Sequence, residues 1–266
     1  MYNIIRSLNY QTRRDNFTYI LLICIVAFAA LMFYADFDAG LYPDGLTGSA
    51  VTSMLGDMGV IGAGAVTVMM TARICGWDFN DKTINYEILA GHDKKSVFWG
   101  RFTVAFVWVT LMCLALISLP VILCTAMNGW GYNAELKGVL VRLVLVIFPI
   151  FRTVCEMLLL TFIARNCYAS MLVGWIGFEF GVIIAMMPKE LFGSDLDLSL
   201  LFSSSSLMGV LSYTNYSIGY VDGKDVEIFE TALSQLKLYG TIGINTAAGL
   251  LCLGIAYLIF KKRDMA

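Results

Sequence analysis

Charge is what this chain has least of. Charged residues make up 14% of its 266 positions against 59% hydrophobic, and the mean hydropathy is +0.75. An ordinary soluble domain is about half apolar and about a quarter charged, so the surplus points to lipid as solvent rather than to a larger core. Histidine is almost missing: His92 stands alone, which excludes an H-E-x-x-H metalloprotease site. The seven cysteines, at 24, 75, 113, 124, 155, 167 and 252, form no C-x-x-C pair and lie mostly in apolar runs. There they read as small apolar side chains, not as zinc or redox ligands. Neither a G-x-S-x-G nor a P-loop occurs, and no basic stripe with interleaved aromatics speaks for nucleic acid. No catalytic, cofactor-binding or metal site is expected on this chain.

What the sequence does have is long apolar runs. Six, at about 17–35, 54–73, 102–126, 140–163, 168–188 and 239–260, meet the ~20 helical residues that a hydrocarbon core of ~30 Å requires. The first, YILLICIVAFAALMFYA, follows Arg13 and Arg14 and has Ala27-Phe28-Ala29 inside it, as a cleaved signal peptide would. It runs on through Leu31, Met32 and Phe33, with five more runs behind it, and an uncleaved anchor is the preferred reading. The second run carries Gly56, Gly59, Gly62 and Gly64, where another helix can approach closely. Pro120 and Pro149 should kink or interrupt their helices.

Basic residues set the expected orientation. Twelve of the 18 Lys and Arg residues fall on one side: the N-terminus, the segment after the second run, Arg165, and the closing Lys261-Lys262-Arg263. By the positive-inside rule, both termini and that segment are cytoplasmic, and six spans give the same parity. The chain thus reads as an all-α membrane protein, a single domain over residues 1–266. It has six transmembrane helices, a cytoplasmic loop at about 74–101 and an extracellular loop at about 189–238. The middle of that outer loop, LDLSLLFSSSSLMGVLSYTNYSIGY, fits short helices on the outer membrane face or a folded cap. Val226, Phe229, Leu233 and Leu236 stand at helical spacing, as in an amphipathic lead-in to the last span.

Three ionisable residues fall well inside the runs: Arg152, Glu156 and Glu179. Arg152 and Glu156 are four apart, on one helix face, and can pair. A bare charge at mid-membrane costs ~2.5–3.5 kcal/mol on insertion scales, so Arg152 and Glu156 should face the protein interior or a polar cavity. Glu179 has no partner on its own helix, which makes Arg152 across the bundle its candidate partner. Arg142, nearer the outer end, can snorkel. These charges belong either to a translocation path or to a structural network joining the fourth and fifth spans, and the network is preferred.

The cytoplasmic stretch GWDFNDKTINYEILAGHDKKSVFWGRF, Gly76 to Phe102, is the polar exception between two apolar runs. Ile84 and Ile88 share a helical face near Asp81, Asp78 or Asn80 can cap a start, and Gly91 can end it. From the residues alone, a short docking helix at the membrane interface and a plain solvated connection are equal readings.

The chain resembles the permease subunits of bacterial ABC-2 type (type V exporter-like) ABC exporters, in particular small six-span permeases linked to bacteriocin immunity and peptide or drug export. The resemblance rests on six spans, both ends inside, a long last outer loop, and the order of elements in the cytoplasmic segment. Asp78 is near the acidic position, Lys82-Thr83-Ile84 stands where G-T-I is usual, Gly91 is at the turn, Lys94 or Lys95 is near the basic position, and Gly100-Arg101 fits the closing G-K. Lys82 for glycine and His92-Asp93 in the turn depart from the pattern. The resemblance implies a multi-pass subunit of the bacterial plasma membrane that exports a peptide, drug or lipid-like substrate. It implies a second permease copy or sister permease, with the first and fifth spans as candidate seam. A cytoplasmic ATPase partner would hold ATP and Mg and dock through the loop. The ATPase-coupling residues would be Asp78, Phe79, Asp81, Lys82, Thr83, Ile84, Glu87, Gly91, Lys94 and Lys95. The alternative is a membrane immunity or sensor protein that binds an antimicrobial peptide without pumping it.

Overall fold

The computed structural model describes residues 1–39, 46–80, 91, 93–191, 200–213, 216–221 and 224–262. Within them the chain is mostly helical: α1 (Tyr2–Arg14), α2 (Asn16–Ala39), α3 (Gly48–Asn80), α4 (Lys94–Asn128), α5 (Leu136–Leu145), α6 (Ile147–Ala164), α7 (Cys167–Leu191), α8 (Ser203–Leu211) and α9 (Gln235–Lys262). A hairpin of β1 (Tyr216–Val221) and β2 (Lys224–Phe229) precedes α9. Five stretches are long and apolar enough to cross a membrane, six if α1 and α2, bent by 59°, count as one. Their outer faces bear this out: Leu172, Ile176 and Phe180 on α7, and Leu250, Leu251 and Leu258 on α9, are large apolar side chains left exposed. An aqueous protein would not expose so many together.

The bend at Asp15 has a local cause. Its carboxylate accepts the Phe17 N–H at 3.2 Å and its carbonyl takes those of Thr18 and Tyr19, so Asp15 caps α2. The same carboxylate binds Arg73 of α3 at 2.7 Å and 3.1 Å. Helix α1, outside the six expected spans, buries Ile4, Leu8 and Thr12 along one face and lies on α4.

Helix α3 is central, touching α4, α6, α7 and α8, while α9 packs mainly on α6 and α2 mainly on α4. Its glycines let neighbours in. A Cβ at Gly62 would sit 2.8 Å from Leu116, one at Gly56 would sit 2.9 Å from the Ser212 backbone, and one at Gly64 would run into the Phe178 ring. Several hydroxyls in the apolar layer bond their own helix: Thr67 to the Ala63 carbonyl, Thr153 to Pro149 and Thr161 to Met157. In lipid those groups have no water to turn to.

The fourth apolar run forms two helices that meet at Val146. Pro149, in the first turn of α6, has no N–H to offer the Leu145 carbonyl, so the α-helical ladder stops there. Pro120, by contrast, is accommodated inside α4.

The helical lead-in over Val226 and Phe229 is not what forms. Both belong to β2, which pairs antiparallel with β1 in the register Val226 to Gly219 and Phe229 to Tyr216. Between the two strands the sequence reads Asp222-Gly223, the dipeptide most favoured between hairpin strands. That local preference outweighs a three-four spacing of apolar residues, which a short strand and loop can produce by chance.

Candidate functional site

Two places concentrate polar chemistry inside this apolar bundle. The first is the base of the connection between α3 and α4. Helix α3 does not stop before the loop but continues through Asn80, so Asp78 and Phe79 lie in its last turn rather than at the start of a separate helix. Asp78 accepts an ion-pair hydrogen bond from Arg101 Nη2 at 2.6 Å, and the Arg101 side chain is fully buried. A guanidinium placed there must be paired, because the unpaired cost is several kcal/mol. Arg101 stands two turns into α4, so the pair ties the end of α3 to the start of α4.

An aromatic cluster surrounds the same end. Phe79 meets Phe162 of α6 edge-on at 5.8 Å, and Phe98 of α4 contacts Phe162, Tyr257 and Phe260 at 5.2–5.7 Å. Four helices, α3, α4, α6 and α9, therefore converge under the connection. Lys94 and Lys95 occupy the first turn of α4 after Asp93, and Gly91 has φ +88°, the left-handed region that suits glycine. Asp81, Lys82, Thr83, Ile84 and Glu87, with the rest of 81–90 and His92, lie outside the described residues.

The second place surrounds α8. This nine-residue helix is not on the surface. Ser203 to Ser206, Leu207, Val210 and Leu211 are all buried, and the helix touches α3, α5, α6, α7 and α9. Four adjacent serines in an apolar bundle need partners. Ser203 donates to Glu156 Oε2 at 2.6 Å, Ser205 to the Phe202 carbonyl, and Ser206 accepts from Asn245 Nδ2 of α9 at 2.7 Å. Asn245 also donates to the Thr241 carbonyl. On the α7 side a Cβ at Gly181 would run into the Ser204 hydroxyl.

Two arginines hold the ends of α8 by its backbone. At the N-terminal end, Arg152 pairs with Glu156 at 2.7 Å and donates to the Leu200 and Leu201 carbonyls at 3.2 and 2.6 Å. Glu156 in turn lies at the α8 N-terminus, where the helix dipole favours an anion. At the C-terminal end, Arg142 donates to the carbonyls of Val210, Ser212, Glu230 and Thr231 at 2.9–3.2 Å. Its guanidinium lies over the Tyr213 ring, 4.3 Å from the centroid. Burial pushes the Tyr213 phenol above its ordinary range, only partly offset by its hydrogen bond with Thr52 and by Arg142. The ring therefore meets the guanidinium as a neutral face.

Two expectations are corrected here. Arg142 does not snorkel: it is 6% exposed, because four carbonyls from α8 and the segment after β2 supply an interior site for its fork. Glu179 is not the partner of Arg152. The i,i+4 carboxylate of Glu156 and the 200–201 carbonyls take the guanidinium, and Glu179 stands half-buried on α7. The segment that forms α8 is buried against its neighbouring helices. The glycines of the fifth run divide: Gly174 and Gly181 face Met157 and Ser204 inside the chain, while Gly177 meets open space.

Asn245 and the four serines do not stand out in the sequence as site residues, and Arg101 does so only as the basic member of Gly100-Arg101. The signals are there all the same: F-S-S-S-S before an apolar pair is a helix-start pattern, and an asparagine amid GTIGINTAAGLL is an intramembrane polar residue. No protein-family model matches the chain, and neither a curated protein nor a solved structure matches it.

Proposed function

We propose that this chain is the membrane-spanning permease subunit of an ATP-driven exporter of the ABC-2 type. It lies in the bacterial plasma membrane with both termini cytoplasmic and provides the outward path for a peptide, drug or lipid-like substrate. A separate cytoplasmic ATPase, holding ATP and Mg, docks on the segment about 74–101, and a second permease copy or sister permease completes the path. The chain itself catalyses nothing.

The observation that carries this reading is the anchoring of the cytoplasmic connection. Its two ends are joined by the buried Asp78–Arg101 pair and rest on aromatic rings from four helices. A plain tether needs no such base. A segment that receives force does, because a displacement at 81–92 then reaches α3, α4, α6 and α9 together. At the other end, an inserted helix held by backbone-directed arginines is a discrete element that such a displacement can move.

Ile84→Asp in the purified complex tests the reading: ATPase activity that depends on the permease should fall while the permease remains folded. Unchanged coupling with Ile84→Asp, Glu87→Lys and Lys94→Glu alike would refute docking through this loop. Asp78→Ala is a poor probe, since it leaves the Arg101 guanidinium buried without its carboxylate. The rival, an immunity protein that binds an antimicrobial peptide without pumping, predicts protection of cells with no associated ATP hydrolysis.

A further inference from the structure

A cavity of about 590 Å³ opens between α4 and α5 at the end of the bundle away from Lys94 and Arg165, with α3, the end of α8 and Tyr213 as its floor. It falls within the ~300–1,000 Å³ of small-molecule sites. Its inner wall is buried and apolar: Leu55, Ile117, Val210 and Leu211. Its rim is different. Ile122, Leu136 and Leu140 are 60%, 51% and 54% exposed, and all three lie on membrane-spanning stretches. The mouth is therefore bordered by the exposed apolar faces of two membrane-spanning stretches.

The wall offers almost nothing to a polar ligand. Thr52 is bonded to the Ser49 carbonyl, Thr125 to Val121 and the Trp130 indole N–H to Ala134. Arg142 is engaged with four carbonyls, Tyr213 is bonded with Thr52, and Ser118 adds one hydroxyl. A polar or charged occupant would lose its hydration without replacement hydrogen bonds, at roughly 1–3 kcal/mol per group on protein scales. An extended apolar chain loses nothing, and the surrounding leaflet supplies one. Continuity of the groove with the lipid-facing surface selects that source.

We infer that this groove is a binding site for one acyl chain of a membrane phospholipid, seated against the Arg142–Tyr213 contact that holds the end of α8. The occupant fills the space beside that contact, so its presence favours the clamped position of α8. The inference does not depend on the exporter reading, since it concerns a lipid and not the cargo.

The test uses the full chain in vesicles of phosphatidylcholine containing a trace of phospholipid with a photoreactive diazirine at the end of one acyl chain. Cross-linked positions are then mapped by mass spectrometry. The expected result is enrichment at Val121, Val139 and Leu143 over Leu172, Ile176 and Leu250, lipid-facing residues outside the groove. Val139→Phe, which fills the groove, should abolish the enriched cross-links and leave the control positions labelled. Groove labelling no stronger than that of the controls in the unaltered chain overturns the inference, whether or not the variant folds. Enrichment that survives both Val139→Phe and Ser118→Phe, with control labelling intact, overturns it as well.

Discussion

Replacing Arg142 by methionine removes the clamp at the C-terminal end of α8 while keeping a side chain of similar length. The carbonyls of Val210, Ser212, Glu230 and Thr231 all lose a donor. At about 1–3 kcal/mol for each buried group left unsatisfied, the gross loss would reach roughly 4–12 kcal/mol. Two effects reduce it: the variant no longer holds a desolvated guanidinium, and carbonyls at a helix end can turn toward other donors. A net destabilisation of about 3–5 kcal/mol remains, toward the lower end of that gross range for unsatisfied carbonyls. On the scaling of about 2–4 °C per kcal/mol for chains of this size, the midpoint of thermal unfolding in detergent should fall by roughly 6–20 °C. Arg142→Lys keeps the charge but not the fork or the stacking on Tyr213, and should recover only part of the loss. A local readout accompanies the global one. With Ser204→Cys as a buried reporter, a thiol reagent should label slowly while Arg142 is native and quickly once Arg142→Met is added. A midpoint shift under about 2 °C with unchanged labelling of that cysteine would refute the clamp.

At the other end of α8, Glu156→Ala should cost about 1–3 kcal/mol, below the fully buried limit because the carboxylate keeps 35% exposure. A double-mutant cycle with Arg152→Ala should show positive coupling, and zero coupling would reduce the pair to coincidence. Arg152→Ala that folds and transports normally would exclude a role for it in the path. Gly64→Leu should force the Phe178 ring away and destabilise by about 1–3 kcal/mol, read by thermal unfolding. For Asp15, burial pushes the carboxyl up, but the Arg73 hydrogen bonds, the Phe17 N–H and the Arg73 charge outweigh it and hold the group below its ordinary 3.8. That stabilisation is complete above about pH 4 and is lost as pH falls through the lowered folded value. Acid titration of unfolding should therefore show a loss confined to the region below about pH 4, and Asp15→Asn should remove that component. A midpoint that already declines between about pH 7 and 5 on account of Asp15 would contradict the assignment.

The membrane spans were legible because apolar runs of about 20 residues are a local property, and so were the break near Pro149 and the Arg152–Glu156 pair. Both follow from the chemistry of one turn of helix. What the sequence concealed depends on partners far along the chain. Arg142 meets carbonyls 68 to 89 positions away, and nothing near it in sequence announces an interior site. Without that site, snorkelling is the cheaper outcome for an arginine near a helix end. The burial of Ser203 to Ser206 likewise depends on Glu156 and Asn245, which satisfy hydroxyls that would otherwise keep the segment at the surface. The hairpin was readable from Asp222-Gly223 and was obscured by the apolar spacing beyond it. In the polar stretch Gly76–Phe102, the inward turn of Asp78 and Phe79 to Arg101 and Phe162 was concealed for the same reason, since both partners lie on other helices.

The central claim is that the bundle is driven by a motor it does not itself contain. Purification of the intact chain from the membranes of cells that encode it, in mild detergent, tests this most directly. The account predicts that a P-loop ATPase accompanies it in stoichiometric amount and hydrolyses ATP, and that Ile84→Asp weakens or uncouples the association. A folded, monodisperse chain that carries no ATPase, from cells in which every membrane-associated P-loop ATPase remains with other partners, would contradict it.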